Sequence, residues 1–364
     1  MGKTLSGLIF HELEIEGYER VVEATDQESG LHAIISLHNT RLGPAIGGTR
    51  MIPYPTFEEA LQDVLRLSKG MTYKSSVAET GSGGGKSVII ADPATQKTEE
   101  LLLAFAEAVN HFQGKYIAAI DSGIATKDLE TVGKGTSYVI GLPSPVGSGD
   151  PSPFTAFGGF KGIQAAAQKL WGSDSLKGKR IAIQGLGGVG MCLAEMLFWA
   201  GAELVVSDID LIRIQEAEVR FGAQGVLPDE ILRVSCDILA PCAMGAILNP
   251  ETIPHLKCRA VAGLANNQLL SDKDGQALFE RGILYAPDYV INSGGLFNVC
   301  AELEEGGYQA QASRDKIVRI YDLLLTIFTQ AEEKHLSTMQ VAEELAEHKL
   351  IHGVGKRAQK TLVY

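Results

Sequence analysis

The sequence has few cysteines, and they are scattered. Five occur in 364 residues, and no two of them form a C-x-x-C pair; they are Cys192, Cys236, Cys242, Cys258 and Cys300. An odd, unpaired set is typical of a reducing compartment rather than of a disulfide framework. We therefore expect these cysteines to serve as packing residues, and we expect no metal site.

Positive charge and long apolar runs are also scarce. The 32 Lys and Arg stand against 44 Asp and Glu, a formal net charge of −12, and no basic block marks a footprint on nucleic acid. No apolar stretch reaches 18 residues, and residues 1–21 lack the apolar run of a signal peptide. We expect a soluble cytoplasmic protein with no nucleic-acid or membrane partner.

The composition that remains is globular. Hydrophobic residues make up 45% of the chain and charged residues 21%, which is enough apolar material for sizeable cores. A chain of 364 residues exceeds what one core usually organises, so two domains are expected. The Pro/Gly/Ser-rich segment 141–153 is the candidate hinge.

Strand and helix patterns alternate through the first half. Strands are predicted over residues 31–38, 86–93 and 115–123, and helices over 57–71 and 98–114, the second beginning at Thr98. This alternation predicts an α/β layer.

The segment ETGSGGGKSV, residues 79–88, looks at first like a nucleotide phosphate loop. That motif, G-x-x-x-x-G-K-[ST], needs a glycine where this chain has Thr80, and it must lead into a helix, whereas a strand is predicted after Lys86. We therefore exclude phosphate binding here. Lys86 and the earlier Lys74 are then either surface lysines or parts of one site, where the glycines would let a ligand approach the backbone.

A dinucleotide fingerprint lies in the second half. A predicted strand, residues 181–184, leads into G-x-G-x-x-G and then into a helix, and a second strand, 204–207, ends at Asp208. The carboxylate of Asp208 is placed to accept from the adenosine ribose and to repel a 2′-phosphate, which favours NAD, although Arg213 leaves NADP open. A tight turn in another βαβ unit is the alternative. The candidate cofactor residues of the turn are Gly185, Gly187, Gly188, Val189 and Gly190.

Three more strands are predicted downstream, over residues 236–242, 259–267 and 282–295. In a doubly wound sheet the strand ends face the cofactor, so Asn266 and Asn292 are candidate contacts to nicotinamide or substrate, unless they are simply turn residues. We also assign Thr155 and Ala240 to the cofactor site.

These motifs together resemble one enzyme family. LGPAIGGTRM, LRLSKGMTYK, SGGGKSVII, IDSG, GLGGVG, SDID, ANNQL and YAPDYVINSGG occur in this order over nearly the whole chain. They are similar to the glutamate, leucine, phenylalanine and valine dehydrogenases, and most similar to the leucine dehydrogenases.

The resemblance implies a reaction and its residues. The reaction is reversible oxidative deamination of an L-amino acid with NAD, in a cleft between two domains. By position, Lys74 is similar to the lysine that holds the substrate carboxylate, and Lys86 to the one that polarises water and the carbonyl oxygen. Asp121 is similar to the general acid and base. A desolvated lysine near another cation has a lowered pKa, which suits proton transfer.

The resemblance also implies a substrate pocket of small or aliphatic residues: Ile46, Gly47, Ala119, Leu296 and Val299. Ile46 stands where glutamate dehydrogenases place a lysine, so a buried side-chain carboxylate would lack a partner there. Branched-chain substrates are therefore expected: leucine, valine and isoleucine. Phenylalanine or tryptophan remains the alternative, as does a catalytically silent NAD-binding regulator.

The chain departs from the leucine dehydrogenase pattern at two places. Glu79 and Thr80 replace the usual Gly and Leu, and IDSGIAT, which contains Ile120, Ser122 and Ile124, replaces a segment close to EDVGTT. The resemblance further implies a homo-oligomer, with dimer and octamer open. The expected domains are a substrate-binding and oligomerisation domain, 1–146 with 335–364 returning to it, and a Rossmann NAD-binding domain, 147–334.

Overall fold

Two six-stranded sheets hold the strands of this protein, in a computed structural model that describes residues 7–143, 147–243 and 245–358. The strands are β1 (Ile9–Leu13), β2 (Arg20–Asp26), β3 (Leu31–Asn39), β4 (Ala45–Ile52), β5 (Gly83–Ile90), β6 (Tyr116–Ile120), β7 (Arg180–Gln184), β8 (Glu203–Ser207), β9 (Gln224–Gly225), β10 (Ile238–Pro241), β11 (Ala260–Val261) and β12 (Leu284–Tyr285). The α-helices are α1 (Phe57–Ala78), α2 (Glu99–Asn110), α3 (Thr126–Gly135), α4 (Ser152–Trp171), α5 (Gly188–Trp199), α6 (Leu211–Phe221), α7 (Asp272–Glu280), α8 (Asp288–Ile291), α9 (Gly294–Cys300), α10 (Ala310–Lys334) and α11 (Thr338–His352). None of these helices is long and apolar enough to cross a membrane, within the part of the chain that the structure describes.

The first sheet is mixed, in the order β1-β2-β3-β5-β4-β6. β1, β2, β3 and β5 pair antiparallel in that order, whereas β4 pairs parallel with both β5 and β6. β4 and β5 are buried along almost their whole length, as expected for strands covered on both faces. On one face of the sheet, α2 and α3 pack in a core that includes Phe105 and Phe112. On the other face, α1 packs on the sheet in a second core, where Val64 of α1 and Val88 of β5 lie.

The second sheet is parallel throughout, in the order β12-β11-β10-β7-β8-β9. The chain starts at β7, proceeds outward through β8 and β9, and then crosses to β10 on the other side of β7. In such doubly wound sheets, ligands bind at the carboxyl ends of the strands where the order reverses. The predicted α/β class with a Rossmann arrangement in the second half is confirmed.

The chain forms two units. One comprises the described residues of 1–150, 299–309 and 346–364, and the other those of 151–298 and 310–345. The first division lies close to the predicted one after residue 146. Segment 299–309 belongs to the first unit, and the return begins at 346 rather than at 335. The start of α11 stays with the second unit because Thr338 Oγ1 donates to the backbone oxygen of Tyr285, 2.6 Å away.

Two predicted segments differ from the structure. The strand expected over 282–295 is only β12, and α8 and α9 follow it, because Pro287 opens a helical turn and small residues 293–295 allow tight packing. A Cβ at Gly294 would lie 2.2 Å from the backbone oxygen of Phe154. The expected hinge 141–153 ends inside α4, which begins at Ser152, and its residues 144–146 lie outside the described part. The sequence patterns did not predict β1, β2 or β4.

Candidate functional site

Lys86 and Asp121 meet on one face of the first sheet. Lys86 lies on β5 and Asp121 directly follows β6; β4, between these strands, pairs with both in parallel register. Lys86 Nζ donates to Asp121 Oδ2. Lys86 is only 6% exposed, so its charge is desolvated as well as paired. The structure therefore brings together the two residues predicted to be catalytic.

Gly48 of β4 makes room for this pair. A Cβ at Gly48 would lie 3.1 Å from Lys86 Nζ, 2.8 Å from Asp121 Cβ and 2.7 Å from the backbone oxygen of Ile120. A side chain here would push the lysine and the aspartate apart.

The glycine run before Lys86 serves packing within the protein. A Cβ at Gly84 would lie 2.0 Å from the backbone nitrogen of Thr72 on α1, and one at Gly85 would lie 2.9 Å from the ring of Tyr116. Protein atoms fill the space on the Cβ side of these two glycines. They let α1 lie directly on β5.

Burial and charge act in opposite directions on the pair. Burial lowers the pKa of Lys86 below its ordinary 10.5, and the carboxylate of Asp121 offsets this shift only in part. Burial alone would raise the pKa of Asp121, but the cations Lys86 and Arg50 outweigh it and hold that pKa at about 2. Asp121 is thus ionised at neutral pH beside a lysine that releases its proton readily, which suits proton transfer.

Sequence reasoning missed three residues beside the pair: Arg50, Tyr54 and Asp63. Arg50 Nε lies 3.3 Å from Asp121 Oδ2, and Arg50 Nη1 donates to Asp63 Oδ2 at 2.8 Å. The hydroxyl of Tyr54 donates to the same Asp63 oxygen at 2.7 Å. A signal was available, because Arg50 lies two residues after Gly48 and therefore on the same face of β4.

The unusual residues after Asp121 form a tight turn. Ile124 N donates to the backbone oxygen of Asp121 at 3.0 Å, and Met51 N donates to that of Ser122 at 2.8 Å. Gly123 has a φ of 81°, and a Cβ there would lie 1.9 Å from the backbone oxygen of Met51. Ile124 is buried in the core below. The turn therefore holds the backbone of Asp121 and Ser122 against the end of β4.

The structure also places Glu79 and Thr80 in contact with the C-terminal segment. Glu79 ends α1 in a left-handed conformation with φ 52°, and Lys349 Nζ donates to its Oε1 at 2.7 Å and to Val77 O at 2.9 Å. Arg357 Nε donates to the backbone oxygen of Gly81 at 3.0 Å. We call Lys349 and Arg357 the C-terminal clamp, because both hold the loop that leads into β5.

The remaining residues predicted for the substrate fall in both units. Lys74 lies half-buried on α1, and Ile46 is buried on β4. Ala119 pairs with Gly48 on the face of Lys86, while Gly47 is tightly enclosed, since a Cβ there would lie 1.9 Å from Gly85 O. Val299 belongs to the first unit, where it contacts Gly141, and Leu296 belongs to the second.

The glycine turn of the second unit has the shape of a dinucleotide site. Gly185 has a φ of 95°, and a Cβ at Gly190 would lie 1.9 Å from Gly185 O, so both positions require glycine. Gly187 caps α5, which starts with Gly188 and Val189 and points its amino end at the turn. Free N–H groups at such an end favour a phosphate.

Asp208 completes this turn. Its Oδ2 accepts from Leu186 N at 2.6 Å, and its Oδ1 accepts from Asp210 N at 2.9 Å. Arg213 lies near both acids, with Nη1 3.9 Å from Asp208 Oδ2 and Nε 3.4 Å from Asp210 Oδ2. The carboxylate is therefore held by the loop that would bind the pyrophosphate.

The other cofactor candidates lie around the same strand ends. Asn292 Nδ2 donates to Asn266 Oδ1 at 2.7 Å, so these two residues are brought together. Thr155 lies against Gly295, where a Cβ would be 2.5 Å from its Oγ1. Ala240 is fully buried inside β10. Ala243 lies beside Gly185, because a Cβ added at Gly185 would be 2.6 Å from the Cβ of Ala243. The residues present fit a dinucleotide.

The fold is an α/β fold of two units, and the second unit has the glycine turn and the carboxylate that are typical of dinucleotide-binding domains. A family model described as the Glu/Leu/Phe/Val dehydrogenase dimerisation domain matches residues 14–141, and one described as Glutamate/Leucine/Phenylalanine/Valine dehydrogenase matches residues 211–361. The chain therefore belongs to the glutamate/leucine/phenylalanine/valine dehydrogenase family. Its members are amino-acid dehydrogenases that use a nicotinamide cofactor.

Individual relatives are similar along nearly the whole chain. The chain is 46% identical over 343 residues to a leucine dehydrogenase of Geobacillus stearothermophilus, covering 94% of this chain and 93% of the relative. It is also 46% identical to a phenylalanine dehydrogenase of Caldalkalibacillus thermarum, covering 93% and 92%. The crystal structure of L-tryptophan dehydrogenase from Nostoc punctiforme matches with a TM-score of 0.81 and 43% identity, covering 93% of this chain and 97% of that one.

Proposed function

We propose that this protein catalyses the reversible, NAD-dependent oxidative deamination of branched-chain L-amino acids, leucine with valine and isoleucine. The products are the 2-oxo acid, ammonium and NADH. The observation that carries the proposal is the buried Lys86–Asp121 pair, in a chain of the amino-acid dehydrogenase family.

Lys74, Lys86 and Asp121 have different tasks in this reaction. Lys74 binds the substrate α-carboxylate, and Asp121 takes a proton from the substrate amino group. A nicotinamide dinucleotide, which the glycine turn Gly185–Gly190 and Asp208 would hold, would supply the acceptor for the hydride from Cα. Lys86 polarises the water that adds to the resulting imine, and Asp121 then moves protons between oxygen and nitrogen until ammonia leaves. A positioned acid–base group typically contributes about 10² to 10⁴ in rate.

The substrate assignment depends on apolar side chains. In the first unit Ile46 is buried and Ala119 is small, and in the second unit Leu296 is buried. None of these side chains offers a partner to a carboxylate, and burying an unpaired charge is costly. Glutamate is therefore disfavoured. A hydrophobic pocket discriminates between aliphatic substrates by only about 1 to 3 kcal/mol of binding free energy per methylene. Leucine, valine and isoleucine are therefore all expected to be substrates.

A second candidate is the same reaction on phenylalanine or tryptophan. It is favoured by the phenylalanine dehydrogenase relative, which is as similar in identity as the leucine dehydrogenase. A panel assay separates the two: NADH formation is followed at 340 nm over leucine, valine, isoleucine, phenylalanine, tryptophan and glutamate. The proposal expects the highest kcat/KM for a branched-chain substrate. A higher kcat/KM for an aromatic substrate would transfer the assignment to the second candidate.

The preference for NAD follows from two carboxylates at the ribose site. Asp208 and Asp210 would both repel a 2′-phosphate, and Arg213 already lies beside them. In Asp208→Asn the ratio of kcat/KM for NAD to that for NADP should fall by about 10-fold or more. Glu216→Gln, on the helix that follows Asp208 and paired with Arg220, is the control and should keep the wild-type ratio.

The assembly and location are part of the same proposal. A homo-oligomer is supported by the family description of residues 14–141 as a dimerisation domain, and sedimentation of the purified protein distinguishes a dimer from an octamer. A reducing cytoplasm suits the five cysteines, which are all free.

A further inference from the structure

Two cations converge on a single oxygen of Asp121. Its Oδ2 accepts from Lys86 Nζ and also lies 3.3 Å from Arg50 Nε. Its Oδ1 accepts a longer hydrogen bond, 3.4 Å, from Ser122 Oγ. Oδ2 is therefore held, while Oδ1 remains the more weakly bound oxygen of the carboxylate.

Arg50 is in turn fixed from the helix side. Its Nη1 donates to Asp63 Oδ2, which also accepts from the hydroxyl of Tyr54. Arg50 and Asp63 side chains are 20% and 16% exposed, so these charges interact in a partly desolvated environment. A chain of contacts thus runs from α1 through Arg50 to the Lys86–Asp121 pair.

We propose that Arg50 is a positioning residue for proton transfer: it holds Asp121 Oδ2 beside Lys86 and leaves Oδ1 to exchange protons with the substrate. The inference rests on the proposed function. Asp63 and Tyr54 are part of the device, because they set the position of the guanidinium.

The charge of Arg50 also acts on both partners in the same direction. Its cation lowers the pKa of Asp121, which favours the carboxylate, and it lowers the pKa of Lys86, which favours the neutral amine. The carboxylate of Asp63 acts against it on Lys86. A further ionisable group beside the pair is Tyr116, whose hydroxyl lies on the opposite face of the sheet and donates to Ser87 Oγ.

The chain offers a matched control for Arg50. Arg66 also contacts Asp63, with Nη2 3.3 Å from Oδ1, but it is 60% exposed and belongs to the outer side of α1. Both Arg50→Gln and Arg66→Gln therefore remove a positive charge beside the carboxylate of Asp63. Only Arg50→Gln also removes a positive charge beside Asp121.

The test is the pH profile of kcat/KM for the best substrate of the panel. In Arg50→Gln the rise that reports deprotonation of Lys86 should move to higher pH by about 1 unit, and kcat should fall by about 10-fold or more, with KM little changed. Arg50→Lys should restore part of both. Arg66→Gln should follow the wild type. The proposal is overturned if Arg50→Gln lowers kcat/KM by the same factor at every pH, or if the pH of the rise shifts equally in Arg66→Gln.

Two further measurements keep the test decisive. If Arg50→Gln does not fold, as judged by circular dichroism, Arg50→Lys and Tyr54→Phe take its place, with smaller shifts expected in the same direction and no shift overturning the proposal. The pKa of Lys86 is also measured without turnover, by competitive acetylation with acetic anhydride and mass spectrometry. The pKa of Lys86 should rise in Arg50→Gln even if no amino acid is a substrate. The acetylation measurement therefore distinguishes a failure of the proposed function from a failure of this inference.

Discussion

At the scale of single residues, the Lys86–Asp121 pair links the chemistry to stability. Asp121 has a folded-state pKa of about 2 against an ordinary 3.8, so its contribution to stability is present above about pH 4 and is lost as the pH falls toward 2. Lys86 has a pKa below its ordinary value, so the folded state binds its proton less tightly than the unfolded state does. Its effect on stability becomes more favourable as the pH rises.

Asp121→Asn should therefore destabilise the protein in a pH-dependent way. Without the carboxylate, Lys86 is a buried cation with one partner fewer, and its pKa falls further. Removing one member of a buried pair costs about 3 kcal/mol or more. The loss in the free energy of unfolding, measured by urea at pH 6 and pH 9.5, should be smaller at the higher pH. Glu99→Gln, in an exposed pair with Lys134, should show little loss at either pH.

Gly48 gives a second test at this scale. In Gly48→Ala the new methyl group meets Lys86 Nζ, Asp121 Cβ and Ile120 O, which are all fixed by the sheet or the turn. Turnover should fall by about 10² because the acid–base geometry is displaced. Gly70→Ala is the control, since nothing lies within 4 Å of its Cβ position in α1; it should keep activity and gain up to about 1 kcal/mol of stability. Full activity in Gly48→Ala would contradict the role of this glycine.

At the scale of elements, the C-terminal clamp connects α11 to α1 and to the loop before β5. Lys349 Nζ is buried and donates to both Val77 O and Glu79 Oε1. The Lys349–Glu79 ion pair explains why a glutamate can occupy a left-handed position that usually favours glycine, because the glutamate side chain has a fixed partner. The loop is thereby held in the conformation that leads into the strand of Lys86.

Lys349→Met should destabilise the protein by about 1 to 3 kcal/mol, because it leaves a buried carbonyl and a carboxylate without their donor. Urea unfolding measures the change. The matched control is Lys334→Met, which breaks an exposed pair with Glu344 and should cost about 0.5 kcal/mol or less. Equal losses in the two variants would show that the clamp is an ordinary surface contact.

Elements also show what a sequence can and cannot reveal. The turn from Gly185 to Asp208 was predictable because it is a local motif between two strands, whereas Lys86 and Asp121 were assigned through the family resemblance. Glu79 and Lys349 are 270 residues apart, so no local pattern links them. Arg50 was missed because its partners come from β6 and α1, and α8 because a four-residue helix has no periodicity to detect.

In the whole molecule, the residues proposed for acid–base chemistry lie in one unit and those proposed for the cofactor lie in the other. Lys86→Ala should therefore lose about 10² to 10⁴ of turnover while NADH binding, followed by its fluorescence, is kept. Such a separation is expected only if the lysine acts on the substrate and not on the cofactor. Unchanged turnover in this variant would remove Lys86 from the mechanism.

The most direct measurement of the central claim is the stoichiometry of the reaction with L-leucine and NAD. Ammonium and NADH are determined in the same samples over time. We expect the two products to appear in equal amounts, and we expect Lys86→Ala to suppress both together. Binding of NADH with neither product formed from leucine, valine or isoleucine would contradict this expectation and would favour a catalytically silent nucleotide-binding protein.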